Sequence, residues 1–275
     1  LKHHQGFSYG PGSLTQSLFE NRSLVMELVK RDFIGRYRGS LLGILWSFFN
    51  PVLMLSVYTL VFSVAFKARW AGVEENKAAF ALILFSGMIV HSFFAEALNR
   101  APSLILQHVN FVKKVVFPLE TLPVVTVLSA FLHFLISFLV LCLFCLGAGF
   151  PIHKTVVLVP LVLSPLIFMV LGLTWFLAAL GVYLKDLSQL IAFLTSVSLF
   201  LAPVFYATDT LPPDFQRLLL LNPITLPILE LRDVMLFGNS MNWAAWGFSL
   251  GLGVMAFWLG YAFFQKTRRG FADVL

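Results

Sequence analysis

The sequence predicts an all-α integral membrane protein: six transmembrane helices, an N-terminal cytoplasmic interfacial helix and a short re-entrant helical hairpin before the last span. Three observations lead there. The 275-residue chain is 59% hydrophobic and only 12% charged, with 30 Phe, which is outside the range of water-soluble domains. Residues 39–66 carry no charge, and at about 1.5 Å per residue such a helix outruns a hydrocarbon core of about 30 Å. Further charge-free stretches at 78–95, 121–153, 155–184, 187–208 and 234–265 each supply a span once flanking loop residues are trimmed. The spans must be helices, because lipid offers unpaired backbone groups no partner and the alternating pattern of a β-barrel is absent.

This divides the chain into a cytoplasmic N-terminal segment (1–38), a six-helix membrane domain (39–265) and a cytoplasmic tail (266–275). Six crossings put both ends on one side. Assigning loops alternately gives that side thirteen Lys and Arg and the other side six, so the termini are expected in the cytoplasm. Nearly the whole formal charge of +6 then lies inside, where anionic lipid accounts for it and nucleic acid need not be invoked. No cleavable signal is expected, and a few native residues are expected to precede Leu1.

Within 14–38, Leu24, Val25, Leu28, Val29, Phe33 and Tyr37 recur at three- and four-residue spacing, with Glu27, Lys30, Arg31, Arg36 and Arg38 on the remaining surface. Glu27–Arg31 and Asp32–Arg36 are spaced for pairing. The helix either anchors the first span to the headgroups or also contacts a partner and gates lipid entry. A loop over 100–118 joins spans two and three, bracketed by Pro102 and Pro118, with Ser103 as a helix cap. It either lies on lipid or inserts into a cytosolic protein as a lever. On the outer side, Pro212-Pro213 and Asn222-Pro223 break 207–240 into two short helices. Such a hairpin lines an exit or packs around the last span.

Polar groups inside spans are costly, so each one calls for a reason. Ser129, His133 and Ser137 share one face of span three, which suits an interhelical hydrogen-bond seam better than a proton relay. Glu96 and Arg100, one turn apart, read as a local ion pair, and Cys142 and Cys145 as apolar packing residues. Gly247 and Gly251 have the small-xxx-small spacing that lets helices approach closely, within or between subunits. His3 and His4 are native or a tag remnant, and no metal site is expected on them or elsewhere. Aromatic faces also stack on sugar rings, which makes Trp46, Phe49, Tyr58, Phe193, Phe200 and Tyr206 candidates for lining a conduit.

Certain absences narrow the mechanism. There is no G-x-x-x-x-G-K-[ST] loop, no H-E-x-x-H and no G-x-S-x-G, so no nucleotide, zinc or hydrolase site of those kinds is encoded. No carboxylate falls mid-span, against an ion-coupled transporter. A membrane-embedded glycan transferase would need a convergent acid cluster or metal ligands, and none is visible. Any active transport must draw its energy from another polypeptide.

The stretch Lys30-Arg-Asp-Phe-Ile-Gly-Arg-Tyr-Arg-Gly-Ser-Leu-Leu-Gly-Ile-Leu-Trp-Ser-Phe-Phe-Asn-Pro51 resembles the start of ABC-2-type permeases of bacterial polysaccharide export. Pro203-Val-Phe-Tyr206, Leu211-Pro-Pro, Leu221-Asn-Pro223 and Glu230-Leu-Arg-Asp233 resemble that family's region before its last span. The likeness covers nearly the whole chain and is greatest to the O-antigen permease branch, with capsule and teichoic-acid permeases sharing much of the pattern. It implies a homodimer in the bacterial inner membrane, joined to two copies of a P-loop ATPase that carries the ATP and Mg. The cargo it implies is a polysaccharide on an undecaprenyl-pyrophosphate anchor. Carried onto this chain, Gln107, His108, Asn110, Lys113 and Lys114, with Arg31 and Asp32, would couple to the ATPase. Arg31, Arg36, Tyr37 and Arg38 would form the lipid-pyrophosphate gate, and the six aromatics named above the glycan channel. No catalytic residue is expected.

Overall fold

The computed structural model describes residues 11–61, 77–112, 117–208 and 211–275, and these contain helices and turns but no strand. The N-terminal segment forms α1 (Pro11–Glu20) and α2 (Arg22–Gly35). After a linker come α3 (Trp46–Tyr58), α4 (Lys77–Arg100), the short α5 (Val109–Val112), α6 (Thr121–Gly147) and α7 (Val159–Tyr183). The chain ends with α8 (Leu187–Phe200), α9 (Pro213–Leu219), α10 (Thr225–Arg232), α11 (Trp243–Thr267) and α12 (Phe271–Val274).

Among the described residues, five segments are long and apolar enough to cross a membrane: Gly43–Val61, Ala78–Ser103, Thr121–Gly147, Lys154–Tyr183 and Trp243–Val274. The sixth stretch predicted from sequence, 187–208, supplies only the 14-residue α8, about 21 Å long. Its stop is local: Pro203 has no N–H to continue the ladder, and it disfavours helical geometry at Ala202.

α4 is the centre of the bundle. Most of its surface is covered, by α3 and α6, by α7 and α8, and by α10, whose Ile228 and Leu231 are fully buried in the same core. α7 and α11 form the closest helix pair, and glycine makes it possible. A Cβ on Gly172 or Gly260 would run into the facing backbone, and one on Gly253 would lie 2.5 Å from the Pro165 carbonyl oxygen. Gly247 and Gly251, the pair expected to serve close approach, meet nothing within 4 Å. The contact slides along the helix because it follows the buried face of α11, on which Gly253 and Gly260 lie two turns apart.

The amphipathic stripe of α2 is covered by protein. Val25, Leu28, Val29 and Phe33 are buried, and the first three join Leu104, Leu122 and Val125 in a second core. Of the two charge pairs the spacing permits on α2, only Asp32–Arg36 forms. Between α4 and α6 the chain makes tight turns at Ala101–Ser103 and Leu106–His108 before α5. Ser103 does not cap a helix: its hydroxyl donates to the Arg100 carbonyl and accepts from the Gln107 amide. Lys113 and Lys114 lie outside the described residues.

Both terminal segments meet at Glu120. Its Oε1 accepts from Ser17 at 2.8 Å, its Oε2 from Arg268 at 2.5 Å, and its carbonyl from the buried Trp175 indole at 3.0 Å. The two short helices expected within 207–240 are α9 and α10. A Gly260→Leu substitution should drive α7 and α11 apart and lower stability by about 1–3 kcal/mol, read as a drop in melting temperature in detergent.

Candidate functional site

The residues of the first motif block form part of a charged joint between α2, α4 and α6. Asp32 Oδ1 accepts from Arg100 at 2.5 Å, and Oδ2 accepts from Arg36 at 3.2 Å. Arg36 reaches across to Glu96 and also donates to Ser129 Oγ at 3.1 Å. His133 Nδ1 lies 2.9 Å from Glu96 Oε2, and its Nε2 lies 2.9 Å from the Tyr37 hydroxyl. Phe33 packs on the imidazole with ring centroids 4.8 Å apart. Two guanidiniums face two carboxylates, so the group is balanced when His133 is neutral. Each member alone would be a half-buried charge without compensation, which is costly.

Burial alone would lift the Asp32 carboxyl, but hydrogen bonds from Arg100 and Ser129 and the charges of Arg100 and Arg36 outweigh it and hold the group below its usual 3.8. A lowered folded value makes the Asp32 contribution complete above about pH 4 and removes it as pH falls through that lower value. The joint therefore stays charged at physiological pH. Burial pushes the Tyr37 phenol up, so it remains a neutral donor. One group is left over: Arg100 Nη1 is buried without a hydrogen-bond partner among the described residues.

Two clefts flank the joint. The first, about 390 Å³, lies between α3, α4 and α6, with Arg36, Tyr37, Glu96 and His133 at one end and Tyr58 and Phe85 further along. The second, about 360 Å³, lies between α2, the turns after α4 and the start of α6, where Arg31, Asp32 and His108 come together. Arg31 and Arg38 are exposed and make no ion pair among the described residues. His108 Nδ1 donates to the Leu104 carbonyl at 2.9 Å, its ring stacks on Phe111, and Phe111 stacks on Phe117 at 4.3 Å. Gln107 and Asn110 are exposed.

The aromatic candidates do not converge within one chain. Tyr58 lines the first cleft, whereas Trp46 and Phe49 are exposed on α3 and Phe193 and Phe200 on α8. Tyr206 donates its hydroxyl to the Phe200 carbonyl at 2.9 Å. The second motif block is a staple. Arg232, only 2% exposed, donates to the carbonyls of Ile83, Pro203 and Val204. Glu230 accepts from the Asn242 backbone, and Asp233 from Asn239.

A family model for ABC-2 type transporters matches residues 23–236. The chain belongs to that family. Among curated proteins it is similar to the O-antigen export system permease protein RfbA of Myxococcus xanthus, 28% identical over 94% of this chain and 98% of the relative. It is also similar to the protein of that name from Klebsiella pneumoniae, 24% identical over 92% of this chain and 95% of the relative. In this ABC-2 chain the matched region takes in α2, the joint, both clefts and the Arg232 staple.

Sequence reading paired Glu96 with Arg100; the structure sends Arg100 to Asp32 on α2 and Glu96 to Arg36 just after it. Of the expected seam, Ser129 and His133 close on Arg36, Tyr37 and Glu96, whereas Ser137 donates back to the His133 carbonyl of its own helix. Asn50 and Ser92 were missed, though each shares a three- or four-residue phase with another polar residue, Ser47 and Glu96. Reversing Asp32→Arg or Arg100→Asp should each lower stability by about 1–3 kcal/mol, less than for fully buried pairs because both side chains are roughly a quarter exposed. The double exchange should recover part of the loss in a double-mutant cycle read from melting temperatures.

Proposed function

We propose that this chain is the transmembrane permease subunit of an ATP-driven exporter that moves lipid-linked O-antigen polysaccharide across the bacterial inner membrane. The observation that carries the proposal is the end-to-end likeness to permeases named for O-antigen export. The working unit is a homodimer bound to two copies of a P-loop ATPase, with ATP and Mg held by that partner. The cargo arrives on an undecaprenyl-pyrophosphate anchor.

Six crossings with both termini in the cytoplasm fit the geometry. Ser17 and Arg268 meet on one carboxylate, which supports placing both terminal segments on one face, as an even number of crossings requires. The fifth crossing is then α8 together with the irregular turn at 201–206. Non-helical backbone at membrane depth is tolerated where protein satisfies it, and Arg232 caps the carbonyls of Pro203 and Val204 there. α9 and α10 form the re-entrant hairpin on the periplasmic side.

The ATPase engages the loop 100–118 through Gln107, His108, Asn110, Lys113 and Lys114, with Arg31 and Asp32 completing that surface. Closure of the ATPase pulls α2, and the joint passes the pull to α4 and α6, since neither side can leave without stranding charge. Arg31 and Arg38, exposed and without ion pairs among the described residues, receive the pyrophosphate, while Arg36 and Tyr37 hold the gate to the joint. The aromatics Trp46, Phe49, Tyr58, Phe193, Phe200 and Tyr206 line the conduit once two copies frame it.

Loss of the gene should leave polysaccharide still linked to its lipid on the cytoplasmic side, detected by immunoblot after spheroplast lysis. Normal surface O-antigen in that strain would overturn the proposal. Lys113→Glu with Lys114→Glu should cut export at least about tenfold while the chain still inserts in the membrane, a difference on the order of 1.4 kcal/mol in coupling.

A further inference from the structure

The first cleft holds polar groups that the charged joint does not use. Its walls are three stripes at helical spacing. α3 contributes Ser47, Asn50 and Tyr58, α4 contributes Ser92 and Glu96, and α6 contributes His133 and Ser137. Asn50, Tyr58 and Ser92 make no hydrogen bond among the described residues, although they lie on two of the apolar spans. Pro51, on the same wall, has no N–H, so the Ser47 carbonyl four residues earlier also loses its ladder donor. Acyl chains satisfy none of these groups, and polar atoms left bare at that depth are expensive.

The chemistry of the cleft narrows the occupant. Arg36 and Glu96 neutralise each other at one end, which leaves no net charge to draw a phosphate. The remaining amide, phenol and hydroxyl both donate and accept, and Tyr58 adds an aromatic face. The volume, about 390 Å³, lies within the roughly 300–1,000 Å³ of sites for small organic ligands. We infer that this cleft is a sugar station, which takes a short, uncharged, hydroxyl-rich stretch of the glycan in transit. The inference rests on the export proposal and adds to it a binding site inside one subunit, apart from the exposed aromatic faces of α3 and α8.

The test uses the intact complex of this chain and its ATPase in lipid nanodiscs. The probe is the host's O-polysaccharide freed of lipid by mild acid, titrated by microscale thermophoresis. Asn50→Leu and Ser92→Leu should each weaken binding about tenfold or more, as expected for losing polar contacts. Asn50→Gln should stay within about threefold of the unaltered complex, as should Leu139→Ala on the exposed face of α6. Co-purification of the ATPase and the basal rate of ATP hydrolysis serve as the check on folding. Unchanged affinity in Asn50→Leu and Ser92→Leu would overturn the station. So would equal loss in Leu139→Ala, or no binding by a complex that still exports. A complex that exports nothing, with or without substitutions, overturns the export proposal instead.

Discussion

Charge compensation in a place that tolerates no stray charge governs this molecule. Asp32, Arg36, Glu96 and Arg100 come from the interface helix and the second span, and Ser129 and His133 add the third span to the same cluster. Removing one partner leaves an uncompensated ion where solvation is poor, which costs more than the pair itself contributes. α2 is therefore bound to the bundle in a way that apolar packing alone does not provide. Grease slides, but a four-ion arrangement has one register.

The rest of the chain divides around that joint into a rigid side and an open side. α7 and α11 lock through backbone contact at Gly172, Gly253 and Gly260, and Gly181 packs beneath the Pro102 carbonyl, so the turns after α4 are held against α7. Glu120 adds both terminal segments to the same body. α3 and α8 are different: their outer faces carry Trp46, Phe49, Phe193 and Phe200 in the open. The chain therefore has a tightly locked half and, on its other side, α3 beside the polar cleft and α8 with an exposed aromatic face.

Much of the architecture was legible in advance because lipid imposes length and polarity on every span. The charge-free runs located five long helices, and each of two short helices followed one of the expected proline breaks. The α8 stretch was misjudged in length because hydropathy does not register that Pro203 ends the ladder. Glu96 was misassigned because spacing along one helix shows only neighbours on that helix, and its true partners sit 37 and 60 positions away in sequence. Within the chain, the close helix contact falls on Gly172, Gly253 and Gly260 and not on Gly247 and Gly251, because an interval alone does not say which face meets a neighbour.

The amino-acid sequence by itself determined that this is a helical membrane chain without a nucleotide loop, and it marked Asp32, Arg36 and Tyr37 as residues of consequence. Those properties follow from composition and local spacing, which are one-dimensional. Only the tertiary structure decided that these three residues close on Glu96, Arg100 and His133, and that Asn50, Tyr58 and Ser92 share a cleft. Long-range pairing depends on which faces of the helices meet, and in an almost uniformly apolar chain nearly every face satisfies lipid equally well.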